Sequence, residues 1–539
     1  MEVYPLNLIW TNLRVPVEED ERQLPLMIAR KLKVSQQSIS NLRILRRSVD
    51  ARKKPQLLFS YTLGFSLDIP YKEVNRVLHR VADLKPEPQI MPRPFMKPEK
   101  SLKHRPIVVG AGPAGYFAAL TLAKGGYAPL VLEQGDDVET RSLKVENFWR
   151  TGQLDTESNV QFGEGGAGTF SDGKLTTRIA DPRITEVLET FVEQGAPSEI
   201  LFLAKAHIGT DILKIVTQRL REKIQSLGGE VRFRAKLTGL RHQNGKLVGV
   251  EVNHQEVVPA EAVILAIGHS ARETYRLLLA QGVHLEQKAF AIGLRIEHPQ
   301  KLINTSQYGV EFHPKLGPAD YQLTYQDTTT GRGAYAFCMC PGGKVVAAAS
   351  DLERLVTNGM SEYRRDTGIA NSALVVTVGK GDFQREHPLA GVEFQEYWEH
   401  QAFLAGGRDY KAPAQSVRDF LAKRVSGDFP LPASYTPGIQ PIELHRVLPQ
   451  AVGDVLDRAL LSFERKIQGF AGEMGTLTGI ETRTSAPVRI TRDKMGEALH
   501  IQGLFPAGEG AGYAGGIMSA AVDGIRSAEG IMAQYNPAD

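Results

Sequence analysis

Residues 107–116 read Ile-Val-Val-Gly-Ala-Gly-Pro-Ala-Gly-Tyr, and a later apolar run, Leu-Val-Leu, closes on Glu133. This spacing suits the pyrophosphate of a dinucleotide. Gly110 permits a tight turn, Gly112 lets backbone approach phosphate oxygens, and Gly115 lets a helix pack close to the preceding strand. The pyrophosphate would face the N-terminal end of that helix, where free N–H groups and the helix dipole stabilise negative charge. Glu133 stands 23 residues after Gly110 and 18 after Gly115, a spacing suited to a carboxylate that accepts ribose hydroxyls.

Two further glycine-rich stretches have the same character. Residues 162–175, Phe-Gly-Glu-Gly-Gly-Ala-Gly-Thr-Phe-Ser-Asp-Gly-Lys-Leu, expose many backbone N–H groups to a flat ligand or a phosphate. Lys174, and Arg141 upstream of the run, are the cations available to neutralise phosphates. Near the C-terminus, an apolar strand ending at Pro506 leads into Gly508-Glu509-Gly510 and then Gly515-Gly516-Ile517, where a helix begins. Between these stretches, Val263–Ser270 is a buried strand ending in a glycine turn, and ligands of open α/β sheets bind outside such strand ends.

Candidates for reacting groups are fewer. Cys338 and Cys340 are the chain's two cysteines. Alternating positions on a strand would place both thiols on one face, as either a redox dithiol or an inert buried pair. Candidates for proton transfer are His207, His269, His298, His445 and Tyr513. His269 has the best position, at the mouth of a strand that enters the cofactor crevice. Arg295 would hold an anionic substrate or a strand-edge salt bridge.

These residues need a scaffold of alternating strands and helices. Residues 1–84 read as a small α/β module. Strands are expected at Val3–Trp10, Ile39–Ser48 and Leu57–Leu67, and helices at Glu19–Leu32 and Tyr71–Leu84. Residues 85–105, with five prolines from Pro86 to Pro98, read as a semi-rigid linker. Residues 106–290 and 480–539 form the two parts of a Rossmann-like nucleotide domain, interrupted by an α+β substrate domain at 291–479. Within the first part, 211–227 has amphipathic helical spacing, and Asn244-Gly245 marks a hairpin. The fold class is therefore α/β.

At 539 residues the chain is long enough for two or three domains. Its 64 Lys and Arg against 61 Asp and Glu leave a net charge of +3, too small to imply a polyanion partner for the whole surface. Arg43–Lys54 holds six cations and one acid, a solvated face or an RNA-contacting one. The sparse cysteines, the lack of a signal-like N-terminus and the lack of a long apolar run point to a cytoplasmic protein with no membrane span.

The glycine motifs together resemble the FAD-binding domain of the glutathione-reductase-like flavoproteins, over roughly residues 105–539. More closely, Asn159–Leu175, Phe337-Cys-Met-Cys-Pro-Gly-Gly and the N-terminal module resemble a group of bacterial FAD-dependent dehydrogenases to which no substrate is assigned. The resemblance implies FAD as resident cofactor. It places the pyrophosphate on Gly110, Ala111, Gly112, Pro113, Ala114 and Gly115, and the adenosine ribose on Glu133 beside Gln134. Leu237 would touch the adenine through its backbone. Gly166, Ala167, Gly168, Thr169, Ser171, Gly173 and Lys174 would line the cofactor, as would Ala266, Ile267 and Gly268.

Glu509 stands where the family has an aspartate on the ribityl chain, after Gly508. The amides of Gly515, Gly516 and Ile517 would lie at the pyrimidine edge of the flavin. No second strand–glycine–helix fingerprint occurs between 175 and 480, so either NADH or NADPH binds as a transient co-substrate or the substrate itself exchanges hydride with the flavin, with a quinone or protein redox partner as a further alternative. The expected activity is hydride transfer through flavin N5 to or from a small molecule. The alternatives are a flavin-dependent RNA-modifying enzyme and a redox-sensing flavoprotein that binds a protein partner. The oligomeric state is left open.

Overall fold

The computed structural model describes residues 3–88, 98 and 100–538. The chain divides into two compact units.

The smaller unit gathers the described part of the first 95 residues with Pro197–Ala206 and Asn304–Gly317. Its sheet runs Ile39–Lys53, Gln56–Pro70, Val3–Pro16, Leu84–Pro86, all antiparallel. Alternation in Gln56–Pro70 turns Phe59, Tyr61, Leu63 and Phe65 inward. There they pack with Ile28 and Leu32 of the helix Leu24–Leu32. Pro197–Ala206 joins this unit through Arg47, whose N–H donates to the Phe202 carbonyl at 2.7 Å. Three cations of the basic stretch are paired within the unit: Arg43 with Glu87, Arg47 with Glu21 and Arg52 with Asp50.

The expected linker is changed at both described ends. Leu84–Pro86 is an edge strand, and Lys100–Ser101 pairs with Tyr535–Asn536 in the larger unit. The rest of the proline-rich stretch, 89–97 and 99, lies outside the described residues.

The larger unit is built on a five-stranded parallel sheet. Its order is Leu504–Pro506, Val263–Leu265, Ile107–Val109, Leu130–Leu132, Glu230–Arg232. The four strands from Leu504 to Leu132 in that order are uniformly buried and apolar, as expected of parallel strands covered on both faces. Helices Pro113–Lys124 and Ile517–Met532 pack closely against one another. A Cβ on Gly524 would lie 2.0 Å from the Ala114 carbonyl oxygen.

A three-stranded antiparallel sheet, Glu256–Pro259, Lys246–Val252, Leu237–Gln243, flanks this core. Its hairpin turns at Asn244 and Gly245, both at positive φ. A seven-stranded sheet forms the inserted region. It is ordered Thr324–Gln326, Gly333–Cys340, Ile369–Val378, Phe290–Pro299, Thr476–Glu481, Ala412–Ser416, Ile439–Pro441.

Candidate functional site

The carboxyl ends of Ile107–Val109 and Val263–Leu265 open on a cavity of about 240 Å³ in the larger unit. Its wall brings together segments that are far apart in the chain: 110–114, 133–134, 161–174, 266–271, 337–338, 481–484 and 507–520. Gly110 makes the first turn at φ +101, where a Cβ would lie 2.3 Å from the Ala266 carbonyl oxygen. Gly115 has no room for a Cβ either, since one would lie 1.8 Å from the Gly110 carbonyl oxygen. Gly110 thus lets the chain turn into the cavity, and Gly115 lets the helix start directly against that turn.

The helices Pro113–Lys124 and Ile517–Met532 begin at Gly112 and Gly516, and neither cap residue supplies a side-chain hydrogen bond. The first N–H groups of the Pro113 helix therefore remain available to an anion. Cβ atoms placed on Gly268, Gly515 or Gly516 would meet no heavy atom within 4 Å. The wall is backbone at these points with open space before it, which fits a large planar cofactor with a pyrophosphate.

Most of the expected contact residues line this cavity. Those that do not are Ala111, Gly115, Arg141, Thr169, Gly508 and Cys340. Ala111 donates its N–H to Glu133 Oε2 at 2.8 Å. Glu133 Oε1 accepts from Gly135 and Gly163 at 2.9 and 3.0 Å. This carboxylate therefore ties three loops together as well as facing the cavity. Gly508 donates to Asp523 Oδ2 at 2.7 Å, and Asp523 in turn pairs with Arg492. Thr169 lies behind the wall, its hydroxyl on the Glu164 carbonyl.

Arg141 is a correction. Its fully buried guanidinium donates to the carbonyls of Asn159, Val160, Gly163 and Glu164, and stacks over Phe170. These bonds hold the glycine-rich loop in shape and leave Arg141 no access to a phosphate. Lys174 does line the cavity, with its Nζ on the Met339 carbonyl.

The C-terminal donors are also corrected. The Gly515 N–H is taken by Ser519 Oγ at 3.0 Å, and the Gly516 N–H by Glu509 Oε1. Glu509 thus closes its own loop. Its Oε2 lies 3.7 Å from His269 Nε2.

His269 lines the cavity beside Ser270, whose Oγ lies 3.0 Å from Nδ1 and donates to Gln161 Oε1 at 3.2 Å. Burial lowers the pKa of His269 despite Glu509, so the ring is held neutral. The other histidine candidates serve the scaffold. His207 and His298 bond the carbonyls of Tyr363 and Phe470, and His445 pairs with Asp457. Tyr513 is outside the wall, with Arg492 over its ring.

The two cysteines do not share a face of a regular strand. The pairing slips between Phe337 and Cys340, and Cys338 adopts φ +44. The bulge turns Cys338 onto the cavity wall and leaves Cys340 fully buried behind it; both are free thiols. A hydrogen bond from the Cys340 thiol outweighs burial, and with Arg295 it brings Cys338 down to about 6. Cys340 is correspondingly pushed up. Arg295 is fully buried in a salt bridge with Glu481 at 3.3 Å, so it is a strand-to-strand tie with no free face for an anion.

Sequence reasoning missed Glu481, Arg483 and the ion cluster behind them. Arg272 and Arg483 both pair with buried Glu399, and both reach Asp351. Arg272 opens the helix that follows the Gly268 turn, and Arg483 lines the cavity. No motif announces these residues. Their partners lie at least 79 positions away, and a lone charged residue reads as solvated.

The family described as "Pyridine nucleotide-disulphide oxidoreductase" matches residues 104–291. "FAD-dependent protein, C-terminal domain-like" matches 289–484, and a domain of unknown function matches 8–66. An uncharacterized protein of Clostridium beijerinckii is 50% identical over 529 residues, covering 97% of this chain and 98% of that one. Digeranylgeranylglycerophospholipid reductase of Haloferax volcanii is 27% identical over 241 residues, 44% of this chain and 50% of its own length. Protein FixC of Escherichia coli K12 is 27% identical over 198 residues, 36% of this chain and 44% of its own length. The chain thus spans about half the length of the named relatives.

Among solved structures, a geranylgeranyl bacteriochlorophyll reductase-like protein from Thermoplasma acidophilum aligns at TM-score 0.32 and 16% identity, over 80% of this chain and 77% of that one. Among the described residues no helix is long and apolar enough to cross a membrane. The cofactor is FAD, the fold is a mixed α/β one with a Rossmann-type FAD-binding domain, and the chain belongs to the same family of FAD-dependent oxidoreductases as the Clostridium beijerinckii protein.

Proposed function

We propose that this protein transfers hydride between FAD held in the cavity and a small molecule that enters beside Cys338 and Glu481. The observation that carries the reading is the convergence of three distant glycine segments, 110–114, 166–168 and 515–516, on one cavity, with open space before Gly515 and Gly516. Bound FAD supplies two-electron hydride chemistry at its ring. The chain supplies position and electrostatics. The N-terminus of the Pro113 helix faces the diphosphate, and Glu133 faces a ribose. Neutral His269 and the 515–517 turn border the ring.

The finer resemblance to glutathione-reductase-like flavoproteins supports this orientation. The pyridine nucleotide match over 104–291 supports NADH or NADPH as a transient co-substrate. Two free thiols suit a reducing, cytoplasmic setting. The test is an anaerobic titration of the purified protein. It should carry flavin colour that bleaches with NADH, NADPH or a cognate substrate. Colourless protein that takes up no FAD overturns the proposal.

A further inference from the structure

Glu481 is a buried carboxyl group on the cavity wall to which the reading above gives no task. It ends the strand Thr476–Glu481 and is 3% exposed. Its Oε1 accepts from Arg295 Nη1 at 3.3 Å, while Oε2 accepts no hydrogen bond among the described residues. A buried carboxylate oxygen without a donor is costly, and native structures rarely keep one without a use.

The groups around it explain how the cost is met. Arg295, from the adjacent strand Phe290–Pro299, is the cation in direct contact. Its other nitrogens are spent on the Asn371 side chain at 3.0 Å and the Cys338 carbonyl at 2.7 Å, with Cys340 Sγ at 3.5 Å. Cys338, from Gly333–Cys340, faces the same cavity, with Lys174 and Asp172 acting on it from the glycine-rich loop. Arg483, two residues on from Glu481, is committed to Glu399 and Asp351. One guanidinium therefore serves both the Glu481 carboxyl and the Cys338 backbone carbonyl, with the Cys340 sulfur at its edge. A Cys338 thiolate on the same wall adds negative charge near Glu481 and so helps it keep its proton. Burial raises Glu481 to about 7, with Arg295 opposing and Cys338 adding to the rise.

We propose that Glu481 exchanges a proton with the substrate, and that the substrate is an alcohol or amine whose oxidisable carbon bears an O–H or N–H. Cys338 acts as the positioning residue that sets the readiness of Glu481. This rests on the hydride reading above. In the oxidative direction the substrate's O–H or N–H bond breaks, its electron pair stays on the heteroatom, and the proton forms an O–H bond at Glu481 Oε2. The carbon-bound hydrogen leaves with its electron pair to the flavin, so two electrons and one proton are accounted for. The reverse direction returns the proton from Glu481.

The test compares wild-type holoenzyme with Glu481→Gln, Glu481→Asp and Cys338→Ser. Anaerobic flavin bleaching by a panel of primary and secondary alcohols and amines should rise with pH through a midpoint near 7 in wild type. Glu481→Gln should lose roughly 100-fold or more and the pH step with it. Glu481→Asp should restore part of both. Bleaching by NADH, which releases no heteroatom proton, should show no pH step at that midpoint in wild type.

Infrared difference spectra across neutral pH give a second measurement that needs no turnover. Wild type should lose a protonated-carboxyl band that is absent from Glu481→Gln, and Cys338→Ser should move its midpoint down. Glu297 and Glu164, also raised by burial, contribute equally to both proteins and cancel. Identical bands in wild type and Glu481→Gln, or unchanged alcohol and amine bleaching in Glu481→Gln, overturn the inference. Failure of every panel compound in a wild type that NADH still bleaches overturns the substrate class while leaving the hydride reading in place.

Discussion

Glu399→Gln tests whether the ion cluster behind the cavity builds the site. Glu399 is fully buried and accepts five bonds. Arg272 donates at 2.6 and 2.8 Å, Arg483 at 3.2 and 3.1 Å, and Thr482 Oγ1 at 2.6 Å. Burial alone would raise this carboxyl, but the two guanidinium groups bring it down to about 2 from an ordinary 4.5. At about 1.4 kcal/mol per pH unit, that difference corresponds to about 3 kcal/mol of stability.

The sign follows from the depressed value. The contribution is fully present above about pH 4.5 and is lost as pH falls toward about 2. Gln keeps the shape and removes the charge, leaving two buried guanidinium groups with only Asp351 as a shared carboxylate, a change that costs about 3–5 kcal/mol. Urea unfolding followed by intrinsic fluorescence should therefore show Glu399→Gln less stable by that amount near neutral pH, with the gap narrowing below about pH 4. Flavin content should fall too, because Arg272 anchors the helix after the Gly268 turn and Arg483 forms cavity wall. A loss under about 1 kcal/mol, in the range of an exposed pair, would refute the reasoning.

Arg141→Met should strip the Asn159 and Val160 carbonyls of their donor and weaken those of Gly163 and Glu164, destabilise the protein by several kcal/mol at about 1–3 per buried group, and lower the flavin retained on purification. Gly115→Ala should reduce flavin binding and thermal stability together, since its Cβ meets the Gly110 carbonyl at 1.8 Å; absorbance of the purified protein and a melting curve read both. Alkylation of Cys338 by iodoacetamide should rise with pH through about 6, and Cys340→Ala should move that midpoint upward by removing the main hydrogen bond to the thiolate.

The scaffold of the cofactor half was legible because its physics is local. A parallel strand buried on both faces must be apolar throughout, as Ile107–Val109 and Val263–Leu265 are. A glycine at φ +101 against a neighbouring carbonyl admits no other residue, so the turn at Gly110 is written in the chain. The Asn244-Gly245 hairpin is legible for the same reason. The chemistry was less legible because it depends on distant partners. Arg141 carries the charge of a phosphate ligand, and only the fold shows that four carbonyls consume it. Alternation placed Cys338 and Cys340 on one face, but a bulge separates them. Glu481 acquires its character from burial on the cavity wall, set against Arg295 from 186 positions away. The joining of Pro197–Ala206 to the N-terminal sheet likewise rests on pairing at Arg47 that no local pattern encodes.

The proposed chemistry requires the glycine-walled cavity to hold FAD with its reacting end beside Cys338, Glu481 and the 515–517 turn. The most direct measurement is an experimental structure of the protein with FAD bound. The diphosphate should lie at the N-terminus of the Pro113–Lys124 helix, with the ring between His269 and Cys338. Density for the ring elsewhere, or a diphosphate away from the Gly110–Gly115 turn, would contradict it.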